Sequence, residues 1–179
     1  MNKEKGQRLS PRVHNNPWET LHKFTAARIA LGRTGSSLPT DELLRFGLAH
    51  AQARDAVHQP FDSRKLEPEL YALGLETLTV ASAAPDRATY LCRPDLGRKL
   101  SEGSRQALQH SLPEPADVVL VIADGLSSKA VHRQAVPLIA ALLPYLRTLE
   151  LTLGPVVLAH QSRVALGDDI AQVMQARAV

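Results

Sequence analysis

The stretch Asp117–Ala123 (DVVLVIA) constrains this chain more than any other. It is short and almost wholly apolar, as expected of a parallel strand covered on both faces. Asp124-Gly125 closes it, and Ser127 or Ser128 then stands ready to cap a helix through Val131, Val136, Ile139 and Leu142. Pro137 falls inside that helix and is expected to kink or restart it. Gly154–Ala159 (GPVVLA) reads as another strand, and Leu166–Asp169 leads into a last helix with Ile170, Val173 and Met174 on one face. Upstream, Leu75–Ser82 (LETLTVAS) alternates in part and is rich in β-formers. Strand, helix, strand, helix implies an α/β fold with a mostly parallel sheet and right-handed crossovers.

The first half has a different period. Leu21, Thr25, Arg28 and Ile29 follow helical spacing from Trp18, and Gly32 is placed to end that helix. Gly32–Pro39 (GRTGSSLP) reads as a loop. Thr40 is a good N-cap, with Asp41 and Glu42 in the first turn, where the helix dipole favours carboxylates. Leu43, Leu44, Leu48 and Ala51 then form an apolar face on a helix to about Val57, and residues 59–70, with Pro60 and Pro68, read as a connection. The expected division is a flexible leader over 1–17, a helical region over 18–70 and an α/β domain over 71–179. That last domain is expected to be incomplete, because the pattern stops just after a helix with few strands in hand. Either the chain is cut or a partner completes it, and an open edge is expected beside Gly154–Ala159.

Length and composition narrow the function. A chain of 179 residues can hide roughly 70% of its unfolded surface, enough for a core without staples. The single cysteine, Cys92, rules out an internal disulfide framework or a cysteine-rich zinc site, and a buried spectator is expected there. The longest apolar runs, Val118–Ala123 and Leu138–Leu143, have six residues each, against the ~20 that a membrane-spanning helix needs. Residues 1–33 carry seven basic and two acidic residues, so the rest of this +3 chain is slightly acidic. That basic arm holds only Trp18 and Phe24 as aromatics and offers no stacking platform for bases, so no nucleic-acid partner is expected.

Candidate chemistry is sparse. Gly32–Ser37 lacks the GxxxxGK[ST] spacing of a phosphate loop and follows a helix rather than a strand. Asp124-Gly125-Leu126-Ser127 ends a strand and opens a helix, which is where open α/β sheets bind ligands; a plain capped turn is the alternative. The seven histidines show no pair at HxxxH spacing, and Asp168-Asp169 suit a helix cap better than a metal. No acid/base or nucleophile constellation emerges from this chain alone.

Four ordered segments carry a resemblance. They are LHKFTAARIALGRTGSSLPTDELLRFGLAHAQARDAVHQP over Leu21–Pro60, DRATYLCRPDLGRKL over Asp86–Leu100, VIADGLSSKAVHRQAVPL over Val121–Leu138, and Val157–Met174 with its RVALGD run at Arg163–Asp168. Together they resemble the small (light) subunit of ethanolamine ammonia-lyase over roughly residues 18–179. The resemblance implies adenosylcobalamin as cofactor, conversion of ethanolamine into acetaldehyde and ammonia, and a large barrel subunit that holds substrate, within a higher hetero-oligomer. It implies that the small subunit, with residues 71–179 as a Rossmann-like α/β domain, helps enclose the corrinoid at the subunit interface, which accounts for the missing constellation. The family's cobalamin contact in the RVALGD segment falls on Val164. Arg163, Asp124 and Ser127 border the same crevice and are further candidates. The glutamate of the family's GERPG segment and the cysteine of its CISN segment have no counterpart in this sequence. The alternative role is therefore a non-catalytic assembly module that has lost most cobalamin contacts. Cytoplasm is the default location, with a bacterial microcompartment as the option the resemblance brings.

Overall fold

The computed structural model describes His14 and residues 16–110 and 115–179. The leader expected over 1–17 therefore lies largely outside the described residues. Two compact units divide the chain at Arg54/Asp55.

In the first unit, Asn16 caps a 3-10 turn over Pro17–Lys23 by accepting the Trp18 N–H. The longer helix expected from Trp18 does not form. The chain instead turns irregular after Lys23, with Ala30 and Gly32 at positive φ (51° and 74°). Side chains replace the helix bonds: His22 Nε2 meets the Ile29 carbonyl at 2.6 Å, and Arg28 donates to the Glu42 carbonyl at 2.6 Å. Thr34 and Ser37 exchange backbone hydrogen bonds, which confirms the loop over Gly32–Pro39. Helix α1 spans Thr40–His58 with Asp41 and Glu42 in its first turn, as expected. Its apolar face exists, but none of its residues is buried.

The second unit is an α/β layer structure. Strands β1 (Thr77–Ala81), β2 (Val121–Ala123) and β3 (Val156–His160) form a parallel sheet in the order β1-β3-β2. The α/β fold with a parallel sheet is thus as expected. The open edge is not: β3 lies in the middle, paired on both sides, and β2 is the outer strand. Its four buried residues, Val156–Ala159, show that burial. Helix α2 (Glu67–Ala72) forms inside the stretch read as a connection, because Pro68 sits in its first turn, where a missing N–H costs nothing. Helices α3 (Arg87–Cys92) and α4 (Glu102–His110) lie between β1 and β2, α5 (Ser128–Thr148) between β2 and β3, and α6 (Leu166–Met174) follows β3.

Each sheet face has its own core. Ile139 and Leu143 of α5 pack with Phe61, Leu66 and Leu70 over Ile122, Val156 and Leu158. Leu108 of α4 and Ile170 and Met174 of α6 pack over Val80, Val157 and Ala159 on the other side. Helix α5 runs unbroken through Pro137 and Pro144, so it does not restart at Pro137. Both prolines are exposed, and the carbonyls they leave without partners belong to the exposed residues Arg133 and Ala140. Water therefore replaces those bonds at little cost. Cys92 is exposed, not buried, because α3 turns it away from the side that Tyr90 buries.

Candidate functional site

The connections after β2 and β3 leave the sheet on opposite faces, through α5 and α6 respectively. Where neighbouring parallel strands part like this, a crevice opens at their carboxyl ends. Here it has a volume of about 830 Å³, and its walls include Gly125 and Leu126 after β2, Arg163 and Val164 after β3, and Tyr90 and Arg98.

Asp124 organises this edge from below. It is only 2% exposed, and its carboxylate accepts the Gln161 N–H at 2.8 Å and the Ser162 N–H at 2.9 Å. It thereby fixes the turn after β3 that carries Arg163 and Val164. Arg87 pairs with the same carboxylate at 3.4 Å. The guanidinium also donates to the Gly125 carbonyl at 2.8 Å and the Val57 carbonyl at 2.8 Å. One part-buried ion pair, with the buried carboxylate at its centre, thus ties the β2 turn to the β3 turn.

Tyr90 forms the next layer. The guanidiniums of Arg87 and Arg163 each lie 4.6 Å from its ring centre. Its hydroxyl donates to the Ser162 carbonyl at 3.2 Å. Burial pushes the Tyr90 phenol up, against the pull of Arg163. Arg163 donates from Nη2 to the Tyr90 carbonyl at 3.0 Å, while its buried Nε has no partner among the described residues. Gly97 makes the approach possible: a Cβ there would lie 2.9 Å from Arg163 Cγ and 3.0 Å from the Tyr90 ring.

The four sequence candidates separate into two kinds. Val164 and Arg163 line the crevice, and Val164 is 98% exposed. Asp124 lies beneath the wall and Ser127 caps α5 through the Ala130 N–H, so neither faces the open space. Sequence reasoning passed over Arg87, Tyr90, Gly97 and Arg98 as individual residues. The signal was present: Arg87 and Tyr90 stand three apart on α3, and all four lie inside the DRATYLCRPDLGR run. Asp169 belongs to the α4 side, where it accepts the Leu100 N–H at 2.8 Å and pairs with Arg105.

The family described as ethanolamine ammonia-lyase light chain (EutC) matches residues 15–179. Relatives described as ethanolamine ammonia-lyase small subunit share about half of the aligned residues. One from Ralstonia nicotianae is 51% identical over 170 residues, covering 93% of this chain and 63% of the relative. One from Pseudomonas fluorescens Pf0-1 is 52% identical over 167 residues, covering 92% and 61%. A third, from Bradyrhizobium diazoefficiens, is 50% identical over 170 residues, covering 94% and 65%. The chain therefore spans about three fifths of the length of the relatives it matches.

Proposed function

The chain belongs to the ethanolamine ammonia-lyase light-chain family, and we propose that it serves as the small subunit that helps enclose adenosylcobalamin against a large catalytic subunit. The carrying observation is Val164: an aliphatic side chain held 98% exposed at a crevice wall, on a turn locked by a buried carboxylate. Fully covering a valine side chain is worth ~1.5 kcal/mol, so this position favours an apolar occupant.

The crevice suits the rim of a corrinoid. Leu126, Val164 and Ala165 offer apolar contact, and Arg98 and Arg163 offer donors for amide or phosphate oxygens. When bound, adenosylcobalamin supplies an organic radical by cobalt–carbon homolysis. On this reading the present chain supplies placement and water exclusion: Val164 packs, Arg163 orients, and Asp124 with Arg87 holds the turn that bears them. Ethanolamine deamination to acetaldehyde and ammonia belongs to the assembled hetero-oligomer.

A second reading rests on the first unit. Leu43, Leu44 and Leu48, on one side of α1, are all more than half exposed, an apolar surface suited to a partner subunit. A chain that docks through that surface but contributes little to cofactor binding is an assembly module. Co-expression with a large subunit from a relative separates the two. Ammonia release that needs both chains, and a weaker cobalamin affinity in Val164→Glu, supports enclosure. A complex whose cobalamin affinity ignores Val164→Glu supports the assembly module.

Among the described residues no helix is long and apolar enough to cross a membrane. The proposed site of action is the cytoplasm, with microcompartment residence as the variant. Fusing residues 1–17 to a fluorescent protein tests the variant, which diffuse fluorescence would reject.

A further inference from the structure

The chain between α3 and α4 runs beside the start of α6 and is bonded to it at two points. The Gly97 carbonyl accepts the Arg163 N–H at 2.8 Å, and the Leu100 N–H donates to the Asp169 carboxylate at 2.8 Å. Arg98 ends the 3-10 turn over Leu96–Arg98 and lies between these two points, which hold it against residues 163–169. Asp168 stands in the first turn of α6. Both side chains are exposed, and both border the crevice that Val164 lines.

Other carboxylates of this unit have cations. Asp124 takes Arg87, Asp95 takes Arg93, Asp117 takes Arg177 and Asp169 takes Arg105. Among the described residues Arg98 and Asp168 have no such partner, and they do not pair with each other although they border one opening. A first-turn position suits a carboxylate on its own account. It does not account for a cation and an anion left apart at the same crevice.

Two opposite charges in one crevice select the group that lies between them. A phosphate or carboxylate gains from Arg98 and is repelled by Asp168. An amine gains from Asp168 and is repelled by Arg98. A neutral group with both an acceptor oxygen and a donor N–H satisfies the two together, and a primary carboxamide carries both on one carbon. Its two hydrogen bonds are then both to charged partners, the stronger kind.

We propose that Arg98 and Asp168 form a carboxamide clamp, with Arg98 donating to the amide oxygen and Asp168 accepting from the amide N–H. Its ligand rests on the role proposed above: the rim of cobalamin carries primary carboxamides, and Val164 supplies apolar contact beside them. The two residues determine specificity, for the amide and against the acid that its hydrolysis leaves.

Equilibrium dialysis of the complex with a relative's large subunit tests the clamp. The probes are cyanocobalamin and its monocarboxylic acids, in each of which one side-chain amide is hydrolysed. In the parent complex at least one acid binds about 10-fold or more weakly than cyanocobalamin, because its carboxylate meets Asp168. Asp168→Asn brings that ratio to about 2-fold or less, since an asparagine N–H donates to a carboxylate. Arg98→Gln widens the ratio, because the cation that favours the acid is gone. Both side chains are exposed, so neither variant disturbs a core. Ratios that are the same in the parent and in Asp168→Asn overturn the clamp and leave cobalamin enclosure standing. Weaker assembly of Asp168→Asn with unchanged ratios also overturns it, and gives the two charges to the large subunit. A parent complex that binds no cyanocobalamin overturns the cobalamin reading and the clamp with it.

Discussion

Asp124 shapes the crevice without touching its open space. Its carboxylate is buried and its bonds to the Gln161 and Ser162 N–H groups lie at least partly out of water, so removing it leaves two N–H groups without their acceptor and takes one partner from the part-buried Arg87. Each such orphaned group costs about 1–3 kcal/mol. Asp124→Ala is therefore expected to lower Tm by roughly 10 °C in a chain of this size, with smaller loss in Asp124→Asn, which keeps an acceptor oxygen. A thermal melt of Asp124→Ala superimposable on the parent's would remove Asp124 from this role. Gly97→Ala works from the opposite wall. Arg163 Cγ can shift, but the Tyr90 ring, fixed between two guanidiniums, cannot. Overpacking of this sort costs about 1–3 kcal/mol. The expected result is a Tm lower by a few degrees, read by the same melt, and partial rescue by Tyr90→Leu in the Gly97→Ala background.

At the scale of elements, the amino ends of β2 and β3 are joined through Asp117. Its carboxylate accepts the Thr152 N–H at 3.0 Å, then the Thr152 hydroxyl at 2.7 Å and Arg177 at 2.7 Å, and these hold it at about 2. An unfolded aspartate titrates near ~3.9. Between the two values only the unfolded chain takes up the proton. The stabilisation is thus complete above pH ~4 and disappears as pH falls through about 2. A carboxyl-carbon NMR titration should place the Asp117 midpoint near 2, and Arg177→Ala should raise it; a parent midpoint at the ordinary value would contradict the linkage. These elements also show how far sequence pattern reaches. β1, β3, the Ser127 cap and the buried face of α6 were legible because burial there follows a simple period. The sheet order was not, because β3 becomes central only through a crossover that pairs it with β1, about eighty residues upstream. That α5 does not restart at Pro137 was hidden for a related reason: the cost depends on whether Arg133 faces water, which one helix's pattern does not reveal. In the crevice, Val164 and Arg163 were found from their motif, whereas Arg87 and Tyr90 act through partners more than thirty residues away.

For the whole molecule, the contrast between the two units bears most on function. The second unit buries its apolar residues in two cores, while the described part of the first buries almost none, leaving Trp18, Phe24, Leu44 and Phe46 largely exposed. A few large apolar side chains at the centre of an interface carry most of its binding energy, typically ~2 kcal/mol or more each. If α1 presents such a centre to a large subunit, charges placed there should act on assembly and leave the second unit's fold alone. Leu44→Asp with Leu48→Asp, one turn apart on the same face, is expected to weaken complex formation by at least about 100-fold, measured by sedimentation against a relative's large subunit. The hydrogen-exchange protection of β3 should not change. Undiminished assembly by the double variant would move the interface off α1, and parallel loss of β3 protection would mean the substitutions act through folding instead.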